Sequence, residues 1–417
     1  MDWKERIIAA IDRRREDIIG YGRAVLEHPE LGYRETQTSA LVQDALSRMG
    51  IPCQNGLALT GVKGKISGKE APVNVCVIGE MDAIRCWGHP HADPETGAAH
   101  ACGHNAQVAS LLGAAHGLAE SGVLEELWGS VTFFAVPAEE FVELEYRQSL
   151  IEAGKIGRIG GKQELLRLGA FDDVDMAMMI HSQAGVLGPD LYLDGSSLGF
   201  TAKQIAFTGR ASHASAPFEG VNALNAAMLA LMGIHANRET FRDEDHIRVH
   251  PILTNGGELV NVVPARAEME TYVRGARQAA IDDACKKVDA AIRGGAMAVG
   301  AACNIRDIPG YQPLHQNVEM GRLMEQVSKL LPGMGHITHG MDMTGSTDMG
   351  DLSAVLPCIQ PTMGGFAGTA HGADFAVADE NAAYILPAKL MALTVASLLD
   401  NHAEQAMKIK ERVQHVE

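Results

Sequence analysis

The chain of 417 residues is long enough for two or three domains, or one large domain carrying an insertion. Apolar residues at 46% and charged residues at 21% are ordinary globular usage and exclude disorder as the main state. With Lys plus Arg at 35 against Asp plus Glu at 52, the net charge of −17 argues against a nucleic-acid or anionic-membrane binder, since both need a basic face.

The first 23 residues are charged and helical in pattern, without the apolar centre of a signal peptide. No run of 18 apolar residues occurs, so no membrane span is expected. Seven cysteines, Cys53, Cys76, Cys86, Cys102, Cys285, Cys303 and Cys358, lie at wide spacings with no CxxC pair. That pattern fits a reducing compartment better than a disulfide framework, and a cytoplasmic protein is expected.

In chain order, residues 2–28 and 36–49 read as amphipathic helices separated by Pro29 and Gly32. Residues 73–79 (VNVCVIG) form a β-branched run that leads into Glu80, Met81 and Asp82. A helix is expected over 104–120. Residues 131–137 (VTFFAVP) and 174–180 (VDMAMMI) are further buried strands, ending at Glu139–Glu140 and His181. Strand, polar cluster, helix, strand is the rhythm of an α/β sheet, whose sites form beyond the carboxyl ends of the strands.

After about residue 190 the pattern changes. Strands are expected at 200–209, in HIRVHPILTNGG and in LVNVVPARAEMETYVRG, with helices over 221–237 and 277–299 and a closing strand in ACNIRDIPGY. The order β-α-β-β-α-β over about 110 residues predicts a ferredoxin-like module, inserted at 191–306 into an α/β domain formed by 1–190 and 307–417. Helices near 315–332 and 380–402 complete the larger domain, and 403–417 is expected to be a fraying helix end.

The sharpest local signal is His100-Ala101-Cys102-Gly103-His104-Asn105. Cys and His are good ligands for zinc and similar metals, and alternation by two lets both point one way. Alone, the pair reads more readily as a buried thiol beside a structural histidine. Glu139–Glu140 after a buried strand is either a solvated acidic turn or a division of labour. In the second case one carboxylate binds a metal and the other takes a proton from metal-activated water. His181 and His371 are unremarkable in isolation. Together these clusters offer a thiolate, three imidazoles and a carboxylate.

The chain resembles the M20 family of metallopeptidases and amidohydrolases. The closer resemblance is to its aminoacylase-like branch, with aminobenzoyl-glutamate hydrolase subunits and aminoacylase-1-like dipeptidases. The matching pieces are Met81-Asp82-Ala83, His100 to Asn105, Pro137 to Glu140, His181, Gly209 to Pro217, Gly257 to Pro264, Gly345 to Gly350, and His371. The resemblance implies an α/β catalytic domain with a central mixed sheet, holding one or two divalent metals (manganese or zinc, with cobalt a further candidate). It also implies an inserted ferredoxin-like α+β lid through which the protein forms a homodimer. By resemblance, Cys102 bridges, His104 and His181 complete one site, Glu140 and His371 the other, and Glu139 is the general base. Asp82 orients a ligand. By the same resemblance His213 reaches a partner's site to stabilise an oxyanion. Asn261 and Arg274 follow on neighbouring strands and are candidates to hold a substrate carboxylate, Arg274 reading equally as a surface salt-bridge partner.

Residues 141–170 depart from many relatives, and this extra stretch is expected to line or cover the pocket. His89 and His91, just before the Cys-x-His, are candidate substrate contacts or spurious ligands. The expected activity is hydrolysis of a C–N bond in a small N-acyl amino acid, aryl amide or dipeptide. Two other readings remain open from the residues. One is an aminohydrolase releasing ammonia from an activated aromatic amine, such as a nitroaromatic amine. The other is an inactive binding protein on the same fold.

Overall fold

The computed structural model describes residues 2–413 and divides into two compact units. The first comprises Met1–Ser196, His315–Asp342 and Asp351–Glu417. The second comprises Ser197–Leu314 and takes in Met343–Gly350. These bounds differ from the expected insert at 191–306, and 343–350, expected in the larger domain, falls in the second unit.

The first unit is built on a six-stranded mixed sheet. Its order is Cys53–Leu57, Gly61–Ser67, Trp128–Val136, Lys69–Glu80, Met176–Met178 and Cys358–Ile359. The last four strands run parallel to one another and the first two antiparallel. Val73 to Ile78 and Val131 to Val136 are buried, as strands covered on both faces require. A second, four-stranded sheet joins Ile337–His339, Leu191–Leu193, Thr362–Met363 and His181–Ser182. Helix His104–Glu120 is buried from His104 to Leu118, the mark of a helix inside the core rather than on its surface. Helix Leu386–Leu399 is also almost wholly buried. The apolar stretch Asn381–Leu399 is long enough to cross a membrane by composition, but 89% of it lies within the fold.

The second unit is an antiparallel sheet in the order Arg248–Val249, Arg266–Gly275, Gly199–Thr208, Ala302–Pro309, with Ile252–Asn255 also paired to Arg266–Gly275. Helices Ala223–Ala236 and Gln278–Ala298 pack on it through their own apolar core. The α/β domain with a mixed sheet and the ferredoxin-like α+β insert are both present.

Several elements differ in detail. The expected helix 2–28 is two, Trp3–Arg13 and Arg15–Glu27. At the join the Arg14 amide bonds the Ile11 carbonyl three residues back, a tightened turn that ends the first helix. The strand expected from His246 is broken at Pro251, which has no amide to donate. The apolar run Leu259–Val263 is no strand, and Leu259 and Val260 face solvent at 65% and 103% exposure. The tail forms helix Glu404–Val413, and the expectation for 414–417 lies outside the described residues.

Candidate metal centre

The strands of the first unit deliver their charged ends to one place. Lys69–Glu80 ends at Glu80 and leads to Asp82, Trp128–Val136 leads through Pro137 and Ala138 to Glu139 and Glu140, and His181 opens a short strand of its own. The turn Cys102–Gly103 precedes helix His104–Glu120. Gly103 has φ +87°, and a Cβ there would fall 2.7 Å from Cβ of Ser182, so the close approach of Cys102 to His181 needs glycine.

Two groups of donor atoms result. Cys102, His104 and His181 bring one ligand atom each within 4.8 Å of one another, as do Cys102, Glu140 and His371. Cys102 Sγ lies 3.5 Å from His181 Nε2, and His371 Nε2 lies 3.3 Å from Glu140 Oε1. His104 Nδ1 faces the Asp82 carbonyl at 2.8 Å and the Asp82 carboxylate at 3.3 Å. Its Nδ1–H is thus donated to Asp82, and Nε2 is left to ligate, a carboxylate–histidine pairing typical of metal sites. The second Asp82 oxygen accepts the Glu140 amide at 2.9 Å. A third group, Glu80 with His104 and Glu139, also falls within 4.8 Å.

The electrostatics fit a cation. Glu35, Glu80, Asp82, Glu139 and Glu140 are all buried here, against the buried cations Arg147 and Lys162. His104 Nε2 and Glu140 Oε1 are buried without a well-formed hydrogen bond, facing Glu80 Oε2 at 3.1 Å and His371 Nε2 at 3.3 Å, a costly arrangement unless something else satisfies them. Burial pushes the Cys102 thiol well up, the charge of Glu140 adds to this, and His104 opposes it. Burial also works against a charged His104, yet Glu80, Cys102 and Asp82 outweigh it and raise its pKa well above the ordinary value. Burial opposes ionisation of Asp82, but the hydrogen bond and charge of His104 bring its carboxyl down to about 2. A thiolate, three imidazoles and carboxylates around an excess of negative charge suit one or two divalent metals of the zinc or manganese kind.

Ala138 precedes the acidic pair with φ +54°, a left-handed conformation that an alanine adopts only when held. Glu35 Oε1 accepts its amide at 2.8 Å, and its carbonyl accepts the Gly161 amide at 2.9 Å. Sequence reading missed Glu35, Glu80, Arg147 and Lys162. Glu80 alone carried a signal, as the last residue of a buried strand.

Residues 141–170 form helices Leu144–Glu152 and Gly161–Arg167, and they pack against the acidic loop. Arg147 is fully buried, donating to the carbonyls of Ile159 at 3.0 Å and Ala138 at 3.4 Å. His89 is buried with Nε2 against the Phe375 carbonyl at 2.8 Å, and its Nδ1 accepts the His91 amide at 3.1 Å. Both ring nitrogens of His89 are spent on holding the local backbone, so it is a structural histidine rather than a substrate contact.

In the second unit the loop of His213 lies beside that of Asn261. The Ala214 amide bonds the Asn261 carbonyl at 2.9 Å, and His213 bridges Val262. His213 Nδ1 accepts the Ser215 amide at 3.1 Å and faces the Ser215 hydroxyl at 2.6 Å. That fixes the tautomer and turns Nε2–H outward as a donor. Arg274 packs its guanidinium 5.0 Å from the Phe200 ring centre and 5.2 Å from that of Tyr272, and donates to Ser346 Oγ at 2.8 Å.

A donor set of this kind can hold divalent metal and activate water for hydrolysis. Residues 196–297 match the peptidase dimerisation domain of M20 enzymes. A Xaa-Arg dipeptidase from Mus musculus is 28% identical over 380 residues, covering 86% of this chain and 79% of that one. Thermostable carboxypeptidase 2 from Saccharolobus solfataricus is 27% identical, covering 84% and 86%. The fold is shared with a dinuclear metal-binding M20 peptidase from Bacillus subtilis, at TM-score 0.74 and 22% identity over 94% and 99% of the two chains. Along most of its length the chain is similar to M20 enzymes, and it is a metal-dependent amidohydrolase.

Proposed function

We propose that the protein hydrolyses the amide bond of a small dipeptide or N-acyl amino acid, with Glu139 as general base. The observation that carries this is the double donor group sharing Cys102, with a further buried carboxylate beside it. Cys102, His104 and His181 would hold one metal, and Cys102, Glu140 and His371 the other. Such a metal supplies Lewis acidity, polarising a carbonyl and lowering the pKa of water toward about 7.

Glu139 takes the proton of the attacking water and returns it to the leaving nitrogen. Asp82 fixes the His104 tautomer through Nδ1 and steadies Glu140 through its amide. Arg274 and Asn261 bind the substrate carboxylate. Arg274 suits this role because its guanidinium is braced by two rings and a hydroxyl, which leaves little freedom to lose on binding. His213 presents its fixed Nε2–H to the oxyanion in the partner protomer's site.

A homodimer through the second unit is supported by the dimerisation-domain match and by exposed apolar side chains there, among them Phe218 at 82% and Met232 at 66%. The seven cysteines are free, which supports a cytoplasmic location. Neither the ammonia-releasing reading nor the inactive one gains support from the relatives.

The test is metal content of the purified protein, with activity on a panel of dipeptides and N-acyl amino acids before and after chelation. One or two equivalents of metal are expected, with activity lost on chelation and restored by manganese or zinc. A protein that turns over amides equally well after complete metal removal overturns the proposal.

A further inference from the structure

The 141–170 segment does more than pack against the acidic loop. It delivers Lys162, which is fully buried, and the Lys162 ammonium is paired with Glu80 Oε1. Glu80 is fully buried as well. Its second oxygen, Oε2, accepts Nε2–H of Gln107 at 2.8 Å and lies 3.1 Å from His104 Nε2. The side-chain oxygen Oε1 of Gln107 in turn accepts the Glu80 amide at 3.1 Å. Glu80 is thus pinned from three sides, by a lysine, by an amide side chain and through its own backbone.

A buried ion pair is a weak device for stability, because desolvating both charges offsets most of their attraction. This pair is placed where it governs something else. His104 stands between two carboxylates, with Asp82 at Nδ1 and Glu80 at Nε2. The Nε2 side is the ligating side. The position of Glu80 Oε2 therefore sets one wall of the space shared by Cys102, His104 and His181. Glu80 takes no part in the donor group of Cys102, Glu140 and His371.

We propose that Lys162 is a positioning residue for the His104-side metal, acting through Glu80. By clamping Oε1 it holds Oε2 as a carboxylate oxygen at the open side of the Cys102–His104–His181 group. The segment that looked like an elaboration of the pocket rim is then a brace behind one of two metals. This rests on the two-metal reading given above, and it makes the two sites unequal in their dependence on Lys162.

The test compares wild type, Lys162→Met, Lys162→Arg and the double variant Lys162→Met/Glu80→Gln. Each is stripped by chelation and titrated calorimetrically with Mn²⁺, or with Zn²⁺ against a competing chelator. Thermal unfolding of the stripped forms is recorded alongside. Wild type should take up two equivalents. Lys162→Met should weaken one of them by about 10–100-fold, the usual effect of losing a partner behind a ligand, and leave the other within about threefold. Lys162→Arg, which keeps the charge, should recover part of that loss.

The double variant removes both charges of the Lys162–Glu80 pair, so its stripped form should regain part of the melting temperature lost in Lys162→Met while the weakened equivalent stays weak. It carries the comparison if Lys162→Met does not fold. Wild-type affinity at both sites in the double variant overturns the positioning role alone. Equal weakening of both sites also overturns it, by reducing Lys162 to a structural part. A wild-type protein that binds no metal overturns the two-metal reading and this inference together.

Discussion

Glu35 offers a test in which the buried carboxylates report on themselves. It is fully buried, accepting the Ala138 amide at 2.8 Å on Oε1 and the Thr60 hydroxyl at 2.6 Å on Oε2. Burial pushes its carboxyl from 4.5 up to about 7, and the charge of Asp82 adds to this, although the hydrogen bonds oppose it. The folded state therefore keeps a proton that the unfolded chain releases above its own value. The stability this contributes is fully present below 4.5 and is lost as pH rises through about 7. At roughly 1.4 kcal/mol per pH unit, the amplitude is about 3 kcal/mol. Glu35→Gln cannot ionise, and it mimics the protonated carboxyl, its carbonyl oxygen placed for the Ala138 amide and its NH2 for the Thr60 hydroxyl oxygen. In the stripped protein the variant should match wild type to within about 1 kcal/mol at pH 4.5. By pH 8 it should be more stable by about 3 kcal/mol. Urea unfolding at half-unit intervals between these values measures the difference, and groups common to both proteins cancel. A difference that stays constant across the window would refute the raised pKa and the burial argument behind it.

Three further outcomes are expected. Glu139→Gln should lower kcat by about 10²–10⁴-fold with metal content unchanged by elemental analysis; loss of metal in parallel would mean that Glu139 is a ligand instead. His213→Ala should lower kcat by about 10²-fold with metal retained, and equal activity would remove it from the reaction. Gly161→Ala should destabilise by about 3 kcal/mol or more, because a Cβ there would stand 1.6 Å from the Pro137 carbonyl oxygen; a melting temperature within a degree of wild type would show that the acidic loop yields freely.

The donor set was legible because it lies in short motifs at the ends of apolar runs. Residues 73–79, 131–137 and 174–180 announce buried parallel strands by composition alone, and such strands present their ends together. The parts that could not be read are buried charges supplied from a distance. Lys162 and Arg147 sit among ordinary helix residues, and only the tertiary fold decides that they point inward. Glu35 looks like an N-terminal helix residue until Ala138 is found against it. The Leu259–Val263 run misled in the opposite way, since its apolar composition reads as a strand but leaves side chains in water. His89 looked reactive because nothing local showed that the Phe375 backbone would claim its ring.

The borrowed segment Met343–Gly350 has a consequence for synthesis. The Leu198 amide of the second unit finds its partner on the Gly345 carbonyl at 3.0 Å, and Arg274 finds the Ser346 hydroxyl. On a ribosome, Ser197–Leu314 emerges well before those partners exist. Until Met343–Gly350 arrives, that stretch must wait with an open seam and a guanidinium short of its hydroxyl. A fragment cut at Leu314 would stay in that state, so separate expression of the second unit calls for a circular permutation or a linker that carries residues 343–350 back to it.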